Sequence, residues 1–280
     1  MQYLGQHFLK NNSAIKKIIA ALDIQSGETI IEIGPGKGAL TLPMAENFKF
    51  LIPNFKILAI EKDEELADAL ISKIRELKLE NVEIIKDDAL KALPEIIKNL
   101  KLTNLLRQNQ ESSIKSGQTY KLVGNIPYYI TGKLLRIISE LKNKPSVSVL
   151  MVQKEVAERI CAATPKMNLL AAATQYWADP EIILHLKAKE FDPPPEVDSA
   201  VIKLATRTLA TSELETKNYY KLIHIIFKQP RKTLANNLKD GLGISRAEIE
   251  KILNSLNLPL NSRPQDISIE QIIKLSQMNL

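Results

Sequence analysis

Apolar residues in the first half of the chain repeat with two periods that take turns. Ile15, Ile18, Ile19 and Leu22 recur at helical spacing, and Ser13 is placed to cap that helix. Thr29–Ile33 is a β-branched run that predicts a strand, and it runs straight into Gly34-Pro35-Gly36-Lys37-Gly38. Residues 39–48 predict a helix and 56–60 a second strand ended by Glu61. Over 63–78 the spacing of Leu66, Leu70, Ile74 and Leu77 predicts an amphipathic helix. A third strand at 82–85 ends on Asp87-Asp88, and a helix follows at 93–100. Residues 101–119 are polar with little periodicity and read as a loop or insertion. A fourth strand at 120–124 ends on Asn125, followed by a helix at 132–141 and a fifth strand at 147–152.

Strand, turn and helix thus alternate at least four times, which predicts βαβ units and a doubly wound α/β fold with a parallel sheet. The pattern changes after Phe191. Asp192-Pro193-Pro194-Pro195 is a stiff extended segment, and 199–204 reads as one more strand. From Lys217 onward only helical spacing is left, at 219–227, 232–238, 246–253 and 269–275. A boundary near residue 206 divides the chain into an α/β domain, 1–206, and a small helical domain, 207–280.

Composition narrows the chemistry. The chain of 280 residues has one cysteine, Cys161, and three scattered histidines, His7, His185 and His224. It has no basis for an internal disulfide framework, a Cys-cluster zinc site or metal-ligand spacing, so no metal is expected. Cys161 follows an apolar helical pattern and reads as a small buried residue, and Tyr176 and Trp177 read as packing aromatics. The twelve-residue uncharged run 167–178 is too short and too polar to span a bilayer, and the first eight residues lack a basic stretch before an apolar core. A cytoplasmic address with no membrane partner is the expectation. Charge is unevenly placed. Residues 1–100 carry 13 basic and 15 acidic side chains, whereas 101–180 carry 11 and 5. A basic excess beside a near-neutral region suits a polyanion partner, although solubility alone explains a net charge of +6 equally well.

In open α/β sheets ligands bind beyond the carboxyl ends of the strands. Four such ends carry distinctive chemistry here: the Gly34, Gly36, Gly38 turn, Glu61, Asp88 and Asn125. A glycine turn lets a ligand approach backbone where any Cβ would collide. Its spacing is G-x-G-x-G and departs from the dinucleotide fingerprint, which disfavours a nicotinamide oxidoreductase. Glu61 is placed to accept from a ribose diol, and Asp88 either accepts from an adenine amine or caps the helix beyond it.

Asn125-Ile126-Pro127-Tyr128 is the sharpest signal. The lone pair of an exocyclic adenine amine is delocalised into its ring. Two acceptors, the Asn125 side-chain oxygen and the Ile126 carbonyl, can orient its N–H bonds toward a pyramidal nitrogen. Pro127 stiffens the turn and Tyr128 offers a face for an extruded base. The structural alternative is an Asn turn followed by two packed tyrosines.

With these residues in order, the chain resembles the small-subunit ribosomal RNA adenine N6-dimethyltransferases over nearly its whole length. Gly5-Gln6-His7-Phe8-Leu9, residues 32–41, Asn125-Ile126-Pro127-Tyr128, residues 153–159, residues 191–200, Arg231-Lys232-Thr233-Leu234 and Arg263-Pro264 carry the likeness. The resemblance implies a Rossmann-like seven-stranded class I methyltransferase sheet with a C-terminal all-helical domain for RNA recognition. It implies S-adenosyl-L-methionine as cofactor, contacted by His7, Leu9, Gly34, Gly36, Glu61, Asp88 and Asn125. It implies catalysis at Asn125, Ile126, Pro127 and Tyr128, and RNA contacts from Arg231 and Lys232. The substrate would be two adjacent adenines near the 3′ end of 16S rRNA in the small ribosomal subunit, dimethylated at N6 by a monomer during ribosome biogenesis. A resistance-type large-subunit rRNA adenine methyltransferase and an assembly factor with little catalysis are the alternatives.

Overall fold

A computed structural model describes residues 6–48, 52–107, 120–208 and 212–278, with backbone alone over 101–107. The chain divides into two compact units. One comprises Met1–Ala157 and Glu181–Thr206, the other Glu158–Pro180 and Arg207–Leu280. The boundary expected at 206 is therefore incomplete. Residues 158–180 leave the α/β unit and join the helical one, because their apolar side chains pack there.

In the first unit, β1 (Phe8–Leu9) precedes α1 (Asn12–Ala21), β2 (Thr29–Ile33), α2 (Thr41–Phe48), β3 (Lys56–Glu61) and α3 (Glu64–Glu76). Next come β4 (Val82–Lys86), α4 (Ala89–Arg107), β5 (Tyr120–Asn125), α5 (Thr131–Glu140) and β6 (Val147–Gln153). Asn11, and not Ser13, caps α1 by accepting the Ala14 N–H at 3.0 Å. Asp63 caps α3 in the same way. Helix α4 runs on to Arg107, so the expected loop is helical over 101–107, and 108–119 lies outside the described residues.

The chain continues through α6 (Lys154–Ile160), α7 (Leu169–Gln175), β7 (Ala178–Leu186), β8 (Phe191–Asp192) and β9 (Ser199–Thr206). The large sheet has seven strands in the order β4-β3-β2-β5-β6-β9-β7. Strands β2 to β6 are mutually parallel, and β9 runs antiparallel to β6. Strand β7 carries no period-2 signal in its sequence. It is an edge strand holding Pro180, a residue that edges tolerate. Ile15, Ile18 and Ile19 of α1, Met44 of α2 and Leu70 of α3 pack with Ile30, Ile57, Val123 and Val201 of the sheet. One buried pair sits at the amino ends of the strands. Lys121 Nζ lies 2.9 Å from Glu28 and also meets the Asp23 carbonyl, so neither charge is left uncompensated.

The second unit adds α8 (Glu213–Ile226), α9 (Leu234–Leu242), α10 (Arg246–Ser255) and α11 (Ile269–Ser276). Ser212, Thr233, Ser245 and Ser268 cap these four helices. Tyr219 is fully buried, stacks on Tyr176 at 3.9 Å and donates to the Ala172 carbonyl at 2.8 Å. Tyr176 is thus a packing residue, as expected, and Trp177 is buried too. Cys161 is only half-buried.

Candidate functional site

The β2–β5 strands carry their chemistry at one end because they are parallel and in register. Ile33 pairs with Ile60 of β3 and Gly124 of β5, so the residues that follow each strand meet over the same sheet edge. Gly124 makes that meeting possible. A Cβ there would come within 2.4 Å of the Ile33 carbonyl oxygen. The sequence shows this glycine plainly, inside a strand, where glycine marks close backbone approach.

A cavity of about 300 Å³ opens at this edge. It is lined by His7, Leu9, Gly34, Gly36, Glu61, Asp88, Asn125, Ile126, Pro127 and Tyr128, so the residues expected at the strand ends are brought together, apart from Gly38, which is not part of the lining. Arg231 and Lys232 are elsewhere. They lie exposed in the turn before α9, and Lys232 meets Asp240 at 3.3 Å. Gly5 lies outside the described residues.

The glycine turn is shaped by left-handed backbone. Gly36 has φ +54°, and a Cβ on it would press to 2.8 Å against the Phe8 ring. Glu61, buried, ties this turn down. Its Oε2 accepts the Gly36 N–H and its Oε1 the Asp63 N–H, both at 2.9 Å. Each oxygen retains a second lone pair that can accept a hydroxyl. Beneath it lies Glu32, which the sequence shows only as one charge in a β-branched run. Glu32 is 1% exposed and accepts the Thr41 hydroxyl at 2.7 Å. Burial raises its pKa to about 7, against the Thr41 hydrogen bond and with help from the Glu61 charge.

Asp88 turns out to do what its structural alternative proposed. Its Oδ1 caps α4 through the Leu90 N–H at 2.9 Å, and its Oδ2 meets Lys62 at 3.0 Å. Burial pushes its pKa up, but Lys62 and the Leu90 N–H outweigh that and hold it below the ordinary value.

Asn125 is fixed from the amino end of the chain. Its Nδ2 donates to the His7 carbonyl at 2.6 Å, which leaves Oδ1 as the acceptor. His7 Nδ1 donates to the Pro193 carbonyl at 2.8 Å, and β1 pairs antiparallel with β8 through Leu9 and Phe191. The N-terminal segment is therefore zipped to the Phe191–Asp192 strand, a link between distant sequence blocks. Lys37 caps the segment from outside, 4.6 Å from the Phe8 ring. Tyr128 is half-buried, lies near-parallel to the His7 ring and shares a 2.8 Å hydrogen bond with Ser199. Burial raises its pKa, partly offset by Ser199. The sequence places Ser199 at the start of a strand and within the 191–200 block and gives no sign of its contact with Tyr128. Among the described residues, no group of three or more His, Cys, Asp or Glu side chains could hold a metal, and no helix is long and apolar enough to cross a membrane.

A seven-stranded sheet of this order, with a glycine turn and an Asn-Ile-Pro-Tyr strand end on one cavity, defines a class I methyltransferase domain. The family model for ribosomal RNA adenine dimethylase matches residues 2–278, and the chain belongs to that family. It is 37% identical to the ribosomal RNA small subunit methyltransferase A of Dehalococcoides mccartyi strain CBDB1 over 97% of this chain and 86% of that protein. It is 35% identical to the protein of the same name from Nostoc over 98% and 96%. A dimethyladenosine transferase from Plasmodium falciparum shares the fold at TM-score 0.74 and 22% identity, over 96% of both chains. The 23S rRNA methyltransferase ErmE shares it at TM-score 0.73 and 20% identity, over 96% of this chain and 98% of that one. The two scores show that the fold alone does not separate a dimethyladenosine transferase from a 23S rRNA methyltransferase.

Proposed function

We propose that this chain transfers methyl groups from S-adenosylmethionine to N6 of two adjacent adenines near the 3′ end of 16S rRNA. The observation that carries the reading is the convergence of Asn125, Tyr128 and the Glu61-anchored glycine turn on one cavity. The relatives at 35 and 37% identity, both named for the small subunit, favour that substrate over large-subunit rRNA.

The cavity suits the cofactor. About 300 Å³ is within the range of small-molecule sites. Gly34 and Gly36 line it in left-handed conformations, φ +66° and +54°, that side chains rarely adopt, and Glu61 supplies a buried acceptor. Gly34, Gly36, Leu9 and His7 would hold it, Glu61 at the ribose, with Asp88 on the rim. When bound it supplies an electrophilic methyl group.

The protein's own part is positioning, which alone can supply a large share of a rate enhancement. Asn125 Oδ1 and the Ile126 carbonyl accept the two N–H bonds of the target amine and aim its lone pair. The His7 carbonyl prevents the Asn125 amide from turning over, because only Nδ2 can donate to it. Tyr128 stacks the base, and Ser199 together with His7 keeps its ring from rotating away. Arg231 and Lys232 contact RNA phosphates. The reading includes a monomer acting in the cytoplasm, where its substrate is made.

The test is to incubate unmethylated small and large subunits with the protein and labelled S-adenosylmethionine and map the modified bases. Two adjacent N6,N6-dimethyladenosines are expected. Label confined to large subunits, or none at all, would refute the reading.

A further inference from the structure

Tyr128 and Tyr129 are neighbours in sequence and opposites in structure. Tyr128 is half-buried, bonded to Ser199 and set against His7. Tyr129 is 64% exposed, yet its residue lines the same cavity. Among the described residues its hydroxyl takes no hydrogen-bond partner. A single exposed ring is ordinary on a protein surface; what sets this one apart is its place on the rim of the cavity, beside cations. Two cations share the rim. Lys62 and Lys133 both line the cavity and are both exposed, and Lys62 lies within electrostatic reach of Tyr129. An exposed ring among cations is the composition of a surface that binds single-stranded nucleic acid, the ring for a base and the cations for phosphate.

We propose that Tyr129 is a stacking plate for the base next to the target adenine, with Lys62 and Lys133 on the flanking phosphates. This rests on the rRNA reading above. A reaction on two adjacent adenines leaves the second one unstacked while the first occupies the cavity. Local geometry supports a division of labour. Tyr129 lies in the turn Tyr128–Ile130 that begins one residue after Pro127, so it is carried on the same rigid corner as the catalytic group. Its position beside Tyr128 lets one strand of RNA reach both rings without a long excursion of the backbone.

The plate should affect RNA and not cofactor. Y129A is expected to raise KM for unmethylated small subunits about tenfold, a loss typical of one stacked base. Cofactor affinity by calorimetry should stay within twofold. Y129F should return KM to the parent value, since stacking needs the ring and not the hydroxyl. A short single-stranded RNA with 2-aminopurine beside adenine should lose fluorescence on binding the parent and Y129F, and keep it with Y129A. Modified-base ratios give a further reading. Y129A should accumulate product at one adenine before the other, where the parent proceeds to both. If the parent methylates small subunits and Y129A matches it in KM, product ratio and fluorescence, the plate is wrong and the function stands. If the parent methylates no small-subunit adenine, the function falls and the plate falls with it.

Discussion

On the glycine-turn side of the cavity, Glu61 and Glu32 are buried carboxylates that already accept hydrogen bonds from their own chain. On the Asn125 side, the proposed groups are a neutral amide and Tyr128, held from behind by His7 and Ser199, with Tyr129 exposed beside them. The first arrangement is rigid because removing a partner would strand a buried charge. The second is rigid because a segment from the amino end, His7 to Leu9, is clamped between Asn125 and the 191–193 strand. The difference implies that substitutions on one side should weaken binding of the small cofactor, and those on the other should slow the reaction.

The largest expected effect is at Asn125. Asn125→Ala removes the proposed acceptor for the target amine and should lower turnover on small subunits on the order of 10²-fold, by analogy with loss of one preorganised polar group. Cofactor affinity should move only a few-fold. Steady-state kinetics and calorimetry on the same preparation separate the two. An unchanged kcat with weakened cofactor binding would place Asn125 on the other side of the comparison.

Glu61→Ala should do the reverse. It removes two charge-assisted bonds to the Gly36 and Asp63 N–H groups and an acceptor for the ribose. Cofactor affinity should fall about ten- to a hundredfold by calorimetry, with kcat at saturating cofactor much less affected. Equal affinity in the variant would remove Glu61 from the cofactor site.

Which parts were readable beforehand follows from how local each signal is. The strand ends were found because a β-branched run stopping at Gly34, Glu61, Asp88 or Asn125 is a contiguous pattern. The pairing of Phe8–Leu9 with Phe191–Asp192 was invisible as a pairing, since two residues have no period and their partner is far away in sequence. Strand β7 was missed because an edge strand mixes exposed and half-buried positions and so loses its alternation. Nothing in the sequence of residues 158–180 places them with the helical unit, because Tyr176 gives no hint of Tyr219, the ring it stacks on. Of two adjacent tyrosines, the sequence does not say which one packs.

Glu32 offers a subtler test through pH. Its native pKa of about 7 lies above the ordinary 4.5. Between those values the folded chain keeps a proton that the unfolded chain releases, so this group lowers stability as pH rises through the window. Glu32→Gln retains an acceptor for the Thr41 hydroxyl and carries no charge. The melting temperature of the variant should match the parent near pH 5 and exceed it by on the order of 3 °C near pH 8. A difference that stays constant with pH would mean Glu32 is charged in the folded chain throughout, and that its burial is compensated by something other than a proton.

The smallest effect is expected at Asp88, and it separates two carboxylates that look alike in sequence. Both end a strand, both line the cavity, and each accepts one backbone N–H or more. Glu61 is buried, and backbone N–H groups alone hold its two oxygens. Asp88 is partly exposed, with one oxygen on a helix cap and the other on Lys62. Asp88→Ala should cost about 1 kcal/mol of stability from the lost cap and little from the exposed ion pair. Cofactor affinity should drop only a few-fold, because an adenine amine would have to compete with Lys62 for the remaining acceptor. Lys62→Ala frees that oxygen and should, if anything, tighten the cofactor slightly. Should Asp88→Ala weaken the cofactor as much as Glu61→Ala, Asp88 must release Lys62 on binding and turn its oxygen to the adenine.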